Sequence, residues 1–266
     1  MKTHFRTTWP YYLAAFTCAL FLVVLFNVRM DGRVFAFDQR IFQALQLART
    51  PQLDTLLITI TQLGDSFMVT ALVIVTAIWL LVKHAWRTAI YWSVTILAAA
   101  TLNSAVKAAI VRVRPGDMMY SGFTAYSFPS GHTTANLVLY GFLCIVLYPM
   151  LKQPARTLLV ICTGGFVATV AFSRLYLGAH WFSDVLGGLL LGTSILCIMG
   201  SRYHACNMQQ VRASYLLVPV IGTLLLAGSA HTVYYQDLNL QRYAPHSKPL
   251  SLKDNNKAFA HLPLLM

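Results

Sequence analysis

The chain has 266 residues, 57% of them hydrophobic and only 11% charged, where soluble domains carry roughly 25%. That little polar surface cannot cover a water-soluble fold of this length, so a bilayer is the natural solvent and one membrane domain the economical reading. The net charge of +12 would suit nucleic acid, but the basic residues are scattered over segment ends and form no single stripe.

Segments of ~17–25 mostly apolar residues cross a bilayer as helices. They are predicted at 11–28, 67–83, 88–106, 134–151, 157–173, 183–200 and 214–230. The first run is longer than a signal-peptide core and ends in Asn-Val-Arg-Met with no small-residue cleavage site, so it is read as a retained helix. In the fifth, the pair Gly164-Gly165 suits close helix packing.

With the N-terminus in the cytoplasm and seven alternating spans, the inner side holds Lys2, Arg6, Lys83, Arg87, Lys152, Arg156, Arg202 and Arg212 and no acid. Basic pairs in short inner loops match the positive-inside rule. The outer side holds the remaining Lys and Arg with every acid, all of them Asp. Cys18, Cys144, Cys162, Cys197 and Cys206 fall in spans or on the inner side without metal-type spacing, so they are read as small residues packing between helices.

Residues 29–66 read as interfacial. From Asp38 to Ala48, Ile41, Phe42 and Leu45 share one helical face, and Thr50-Pro51 interrupts. A second helix is predicted from Asp54, as N-cap, to Gly64, as stop. Such an amphipathic pair either lines a route into the bundle or shields it as a connector. Residues 107–133 form the longest polar connection, rich in turn formers: Pro115-Gly116-Asp117, Ser121-Gly122 and Pro129-Ser130-Gly131. The stretch from His231 onward reads as an outer, partly ordered tail, and no internal repeat stands out.

Three stretches carry the chemistry, all at the outer ends of spans: Lys107-AAIVRV-Arg114-Pro115, Pro129-Ser130-Gly131-His132 and Ser173-Arg174-LYLGA-His180-WFS-Asp184. His180 and Asp184, at i and i+4, share a helical face. A carboxylate beside an imidazole fixes its tautomer and leaves the other ring nitrogen available for attack. Taken alone, the pair reads rather as an interfacial His with a helix-capping Asp. The Pro-Ser-Gly-His stretch opens the fourth span, where backbone N–H groups favour an anion. There Gly131 permits close approach, Ser130 offers a hydroxyl, and His132 is placed as a general acid; the plainer reading is an N-cap serine with an incidental histidine. Arg114 and Arg174 can each fork onto phosphate oxygens while Lys107 adds a point charge. Arg112, Arg29, Arg33, Arg40 and Arg49 are read as snorkelling anchors.

The order and spacing Lys-x6-Arg-Pro, Pro-Ser-Gly-His and Ser-Arg-x5-His-x3-Asp resemble the signature of the type 2 phosphatidic acid phosphatase superfamily, without a departure at any signature position. The resemblance covers about residues 35–200. It implies an all-α, polytopic transmembrane bundle with a six-helix phosphatase core. One additional C-terminal span and interfacial helices after the first span are added to it. The division expected is 1–200 for the core and 201–266 for the extra span and extracytoplasmic tail. It further implies His180 as a nucleophile forming a phosphohistidine, Asp184 orienting it, and His132 protonating the departing oxygen and then activating water. Lys107, Arg114, Ser130, Gly131 and Arg174 would hold the phosphoryl oxygens. No metal or cofactor is implied, since the cations do the work of Mg²⁺.

The expected function is hydrolysis of a lipid phosphomonoester or diphosphate, of undecaprenyl diphosphate, phosphatidate, phosphatidylglycerophosphate or lipid A type, on the outer face of a bacterial inner membrane. Partners are then the lipid phosphate and membrane lipids. Transfer of the phosphoryl group to another lipid is the alternative within the same chemistry, and a non-catalytic transporter or scaffold is the alternative outside it. The vanadium-dependent haloperoxidases resemble the site too, but they are soluble.

Overall fold

The computed structural model describes residues 8–30, 32–116, 125–206 and 211–244. The turn formers Asp117, Ser121 and Gly122, and the tail beyond 244, lie outside the described residues. Among the described residues there are ten α-helices: α1 Trp9–Met30, α2 Gly32–Leu47, α3 Pro51–Leu63, α4 Ser66–Val82, α5 Trp86–Ile110, α6 Gly131–Leu147, α7 Ala155–Tyr176, α8 Phe182–Ala205, α9 Ser214–Thr223 and α10 Ser229–Arg242. A π-helical stretch, Leu224–Gly228, makes α9 and α10 continuous. Seven segments are long and apolar enough to cross a membrane, and each contains or overlaps one predicted span. The chain is an integral membrane protein of the expected all-α class.

The side chains turned outward fit that solvent. Phe16, Phe26, Ile78, Leu97, Ile161 and Leu226 are exposed along the spans, where lipid covers apolar groups and helices satisfy their own backbone. The centre is formed by α6 and α8, with α1 packed along α8, α7 and α5 against α6, and α9 against α4.

Small residues set the α6–α8 distance. On α8, positions 188, 192, 196 and 200 recur every four residues, so they form one ridge. A Cβ on Gly192 would meet Leu137 at 2.9 Å and one on Gly200 would meet Ile145 at 2.8 Å. The pattern reverses at Leu196, which nests against Gly141 on α6. At the ridge's outer end, a Cβ on Gly188 would come within 2.9 Å of the Ser130 carbonyl oxygen. In a membrane, where water does not drive helices together, such close approach supplies much of the association. Gly164 and Gly165, expected to serve packing, are exposed and would meet nothing within 4 Å if given a Cβ. The cysteine reading is corrected likewise: Cys18, Cys162 and Cys206 are exposed, and only Cys144 and Cys197 are partly enclosed.

The segment between the first two spans is more ordered than periodicity suggested. Helix α2 begins at Gly32, six residues before Asp38. Helix α3 begins at Pro51 with Thr50 as N-cap, accepting from the Leu53 N–H. Proline suits that first position because its missing donor would be unpaired there anyway. Asp54, predicted as the cap, instead sits in the first turn and receives both Nε and Nη2 of Arg49 at 3.0 Å. The chain breaks at Gly64, and Asp65 caps α4 by accepting from Met68 N–H at 2.9 Å.

The two kinds of glycine predict different outcomes. Gly188→Ala forces the Ser130 backbone to shift and is expected to cost about 1–3 kcal/mol, read as a lowered melting temperature in detergent. Gly164→Ala should leave that temperature unchanged or raise it slightly.

Candidate active site

All the chemistry-bearing motifs lie at one end of the bundle because α5 and α7 end there while α6 and α8 begin there. Lys107 occupies the last turn of α5. Val111 terminates that helix in a left-handed conformation, φ 51°, and releases the extended stretch carrying Arg112 and Arg114. This stretch is pinned to the segments preceding α6 and α8: Ser127 N–H donates to the Arg112 carbonyl at 2.8 Å, and Trp181 Nε1–H to the Val113 carbonyl at 2.9 Å. Between α7 and α8 the chain turns at Gly178, φ +71°, where a side chain would be strained and would press on Phe42.

Within this frame the imidazole of His180 is held at both nitrogens. Its Nδ1 faces Asp184 Oδ2 at 3.4 Å, and its Nε2 faces Arg114 Nη1 at 3.0 Å. Arginine only donates, so Nε2 is the accepting, unprotonated nitrogen and Nδ1 carries the proton. Asp184 Oδ2 also accepts the Trp181 N–H at 2.8 Å. Burial first, then the charges of Arg114, Lys107 and Arg174, push the His180 pKa well below the ordinary imidazole range.

The cations are built in by backbone oxygens. Arg114 Nη1 donates to the Ala179 carbonyl at 2.6 Å, and Lys107 Nζ to the Tyr126 carbonyl at 2.5 Å. Arg174 is completely buried and donates to Thr61 Oγ1 at 3.0 Å and to the Tyr243 hydroxyl at 2.9 Å. The charges of Arg174, Arg114 and Lys107 all act on His132, with His180 beside them. Ser130 stands at the N-cap of α6 but makes no side-chain cap bond. Its hydroxyl accepts from Thr133 Oγ1 at 3.0 Å, and its N–H donates to the Asp184 carbonyl. A Cβ on Gly131 would lie 4.0 Å from Lys107 Cε. The eight residues singled out in the sequence therefore share one cluster.

Arg112 corrects the sequence reading. It is buried, not snorkelling, and bridges two carboxylates: Nη1 donates to Asp184 Oδ1 at 2.6 Å and Nη2 to Asp38 Oδ2 at 2.7 Å. Burial opposes its charge, but Asp184 and Asp38 more than compensate and raise its pKa. Asp38, itself fully buried, also accepts the Ser183 N–H at 2.9 Å and so caps α8 from a different helix. Arg49 is likewise buried against Asp54. Arg29 and Arg40 are exposed as expected, and the side chain of Arg33 lies outside the described ones. Sequence spacing gave no signal for Asp38. The one available clue was an acid on an otherwise apolar helical face.

Beside the cluster, an apolar groove of about 540 Å³ runs between α4, α5 and α6. Val73, Ala77, Ile96 and Leu97 line its length, and Gly131 and His132 stand at the cluster end.

Comparison with known proteins agrees with this architecture. A family model described as the PAP2 superfamily matches residues 89–207. Phosphatidylglycerophosphatase B of Bacillus subtilis is 31% identical over 177 residues, spanning 65% of this chain and 86% of that protein. An undecaprenyl-diphosphatase of Sulfolobus acidocaldarius is 25% identical over 186 residues, 66% of this chain and 84% of its own length. A crystal structure of a transmembrane PAP2-type phosphatidylglycerolphosphate phosphatase from Bacillus subtilis superposes with a TM-score of 0.65. It has 27% identity and covers 76% of this chain and 100% of that one. With a buried His–Asp pair among three cations and relatives spanned over most of their length, the chain belongs to the PAP2 superfamily.

Proposed function

We propose that the protein is a lipid phosphatase that hydrolyses a lipid phosphomonoester or diphosphate through a phosphohistidine, without a metal. The observation carrying this reading is the convergence of Lys107, Arg114 and Arg174 on two histidines, one of which is paired with a carboxylate. Three cations gathered in a low-dielectric site repel one another, and a phosphoryl group is the counter-charge that suits them. Arginine's planar fork matches its oxygens.

In this reading the phosphoryl group enters between the cations, and Arg114 turns its N–H from His180 Nε2 onto a phosphate oxygen. Nε2 then attacks phosphorus while the bond from phosphorus to the lipid oxygen breaks, and His132 supplies the proton that oxygen needs. Asp184 receives the Nδ1 proton's hydrogen bond and stabilises the positive ring. Water next attacks the phosphohistidine, His132 takes its proton, and phosphate leaves with His180 restored. Ser130 and the backbone at Gly131 add donors at the α6 N-terminus. General acid–base help of this kind is worth ~10²–10⁴-fold.

The apolar groove supports a lipid substrate, since a chain lying in it would bring its headgroup to His132. The names of the relatives support phosphatidylglycerophosphate and undecaprenyl diphosphate as classes to test first. The basic residues Lys83, Arg87, Lys152, Arg156, Arg202 and Arg212 fall at the end of the bundle away from this site. That supports a cytoplasmic N-terminus and an extracytoplasmic active site in a bacterial inner membrane.

Three outcomes follow. Purified protein in EDTA should release phosphate from lipid phosphates, and His180→Ala should lose at least about 10³-fold in kcat/KM; equal release by both would remove His180 from the mechanism. Ala77→Phe, which narrows the groove, should raise KM for long-chain substrates and leave short-chain ones unaffected. The neutral state of His180 in the fold has a definite sign. The stability this group contributes is present above its unfolded pKa of ~6.5 and is lost as pH falls below it. Melting temperatures between pH 7.5 and 5 should therefore fall further for the parent than for His180→Gln.

A further inference from the structure

The segment after α8 lies outside the matched family region, yet it reaches the site. Tyr243, at the end of α10, is 3% exposed and packs with Leu57, Ile58 and Tyr176. Its hydroxyl accepts Arg174 Nη1 at 2.9 Å, and the Arg174 guanidinium carbon stands 5.4 Å from its ring centroid. The tyrosine is itself fixed from the other side. Arg49 Nη2 donates to the Tyr243 carbonyl at 2.5 Å while the same guanidinium grips Asp54 with two nitrogens. A chain of contacts thus runs from α3 through Arg49 and Tyr243 to Arg174. Thr61, also on α3, offers Arg174 another accepting oxygen.

We propose that Tyr243 is a positioning residue for the phosphate grip: its hydroxyl, carried on a residue whose backbone Arg49 holds, sets the orientation in which Arg174 meets the substrate. The inference rests on the phosphatase reading above and adds a residue from the C-terminal segment to it. Arginine's fork is specific only when its plane is held, and a long buried side chain needs fixed acceptors to be held. Removing the hydroxyl keeps the ring in its apolar cluster and deletes the acceptor that Arg174 meets. Binding that is equal in ground and transition states appears in KM, not kcat.

The test is initial-rate kinetics with inorganic phosphate as competitor, on the parent, Tyr243→Phe, Arg174→Ala and the double variant. Hydrogen bonds to charged groups support an effect of about ten-fold. Tyr243→Phe should raise both KM and the inhibition constant of phosphate by about that factor with kcat little changed, and should add nothing in the Arg174→Ala background. Arg49→Lys, which keeps a charge facing Asp54 but loses the forked grip, should shift KM in the same direction. Unchanged constants in Tyr243→Phe would overturn the proposal. So would tighter phosphate binding, meaning that the hydroxyl competes for Arg174, or an undiminished effect without Arg174. If the parent released no phosphate from any lipid, the phosphatase reading would fail separately. Stabilisation of the same proteins by inorganic phosphate in thermal melts would then decide the role of Tyr243, with equal stabilisation of parent and Tyr243→Phe counting against it.

Discussion

Three cations stand together at the end of a membrane bundle, and the backbone around them is organised to hold them there. Lys107, Arg114 and Arg174 act on the same two histidines, and in a medium poorer than water at screening charge their repulsion is large. The fold answers with carbonyls aimed inward from irregular backbone. Tyr126 and Ala179 supply oxygens to Lys107 and Arg114. Those carbonyls exist only because the segments before α6 and before α8 are loops, whose oxygens are not consumed by helical bonding. Irregular backbone at this depth is tolerated where protein buries it. The loops are thus part of the charge balance as well as the places where motifs fall.

A second consequence concerns Asp184. A carboxylate orienting an imidazole among cations is drawn toward all of them, and the wrong pairing would pull it from His180. Arg112 takes Asp184 Oδ1 and leaves Oδ2 turned to His180 and the Trp181 N–H. Arg112 is in turn held by Asp38. Because a buried ion pair broken on one side costs ~3–5 kcal/mol, Asp38 on α2 is coupled to the histidine through one guanidinium. The helices after the first span therefore do more than shield the bundle.

How much of this was legible in the sequence follows from the range of each interaction. The spans were readable because hydrophobic length is a local property, and the eight candidate residues could be singled out because their spacing matches a known signature. Arg112 was misread because the same sequence, a basic residue just past a helix end, describes both a snorkelling anchor and a buried bridge. What separates them is Asp38, 74 positions away. Asp54 differs from its expected role as a cap because Thr50-Pro51 reads locally as an interruption, whereas proline at the first helical position makes it a beginning. The glycine pair at 164–165 was assigned to packing from composition alone, whereas the ridge at 188, 192 and 200 is recognised only when α6 lies beside it.

The described part of the C-terminal segment shows why an added span is not readily separable from the helices it covers. Helix α3 carries Thr61 and Gln62, both buried, and Asp65 follows it. Against lipid alone these groups would each cost several kcal/mol. Arg174 on α7 donates to Thr61, and helix α10 supplies partners for the other two: Gln236 accepts from Gln62 Nε2 at 3.1 Å, and His231 Nε2 meets Asp65 Oδ2 at 2.6 Å. Tyr243 completes the series at Arg174 and Arg49. The Gln62 amide N–H and the Asp65 carboxylate thus meet partners on α10, which makes these polar groups more tolerable in a membrane. Deleting the span would leave buried donors and acceptors open one helix away from the candidate phosphate site, and a substitution on α10 can act there without touching the reacting atoms.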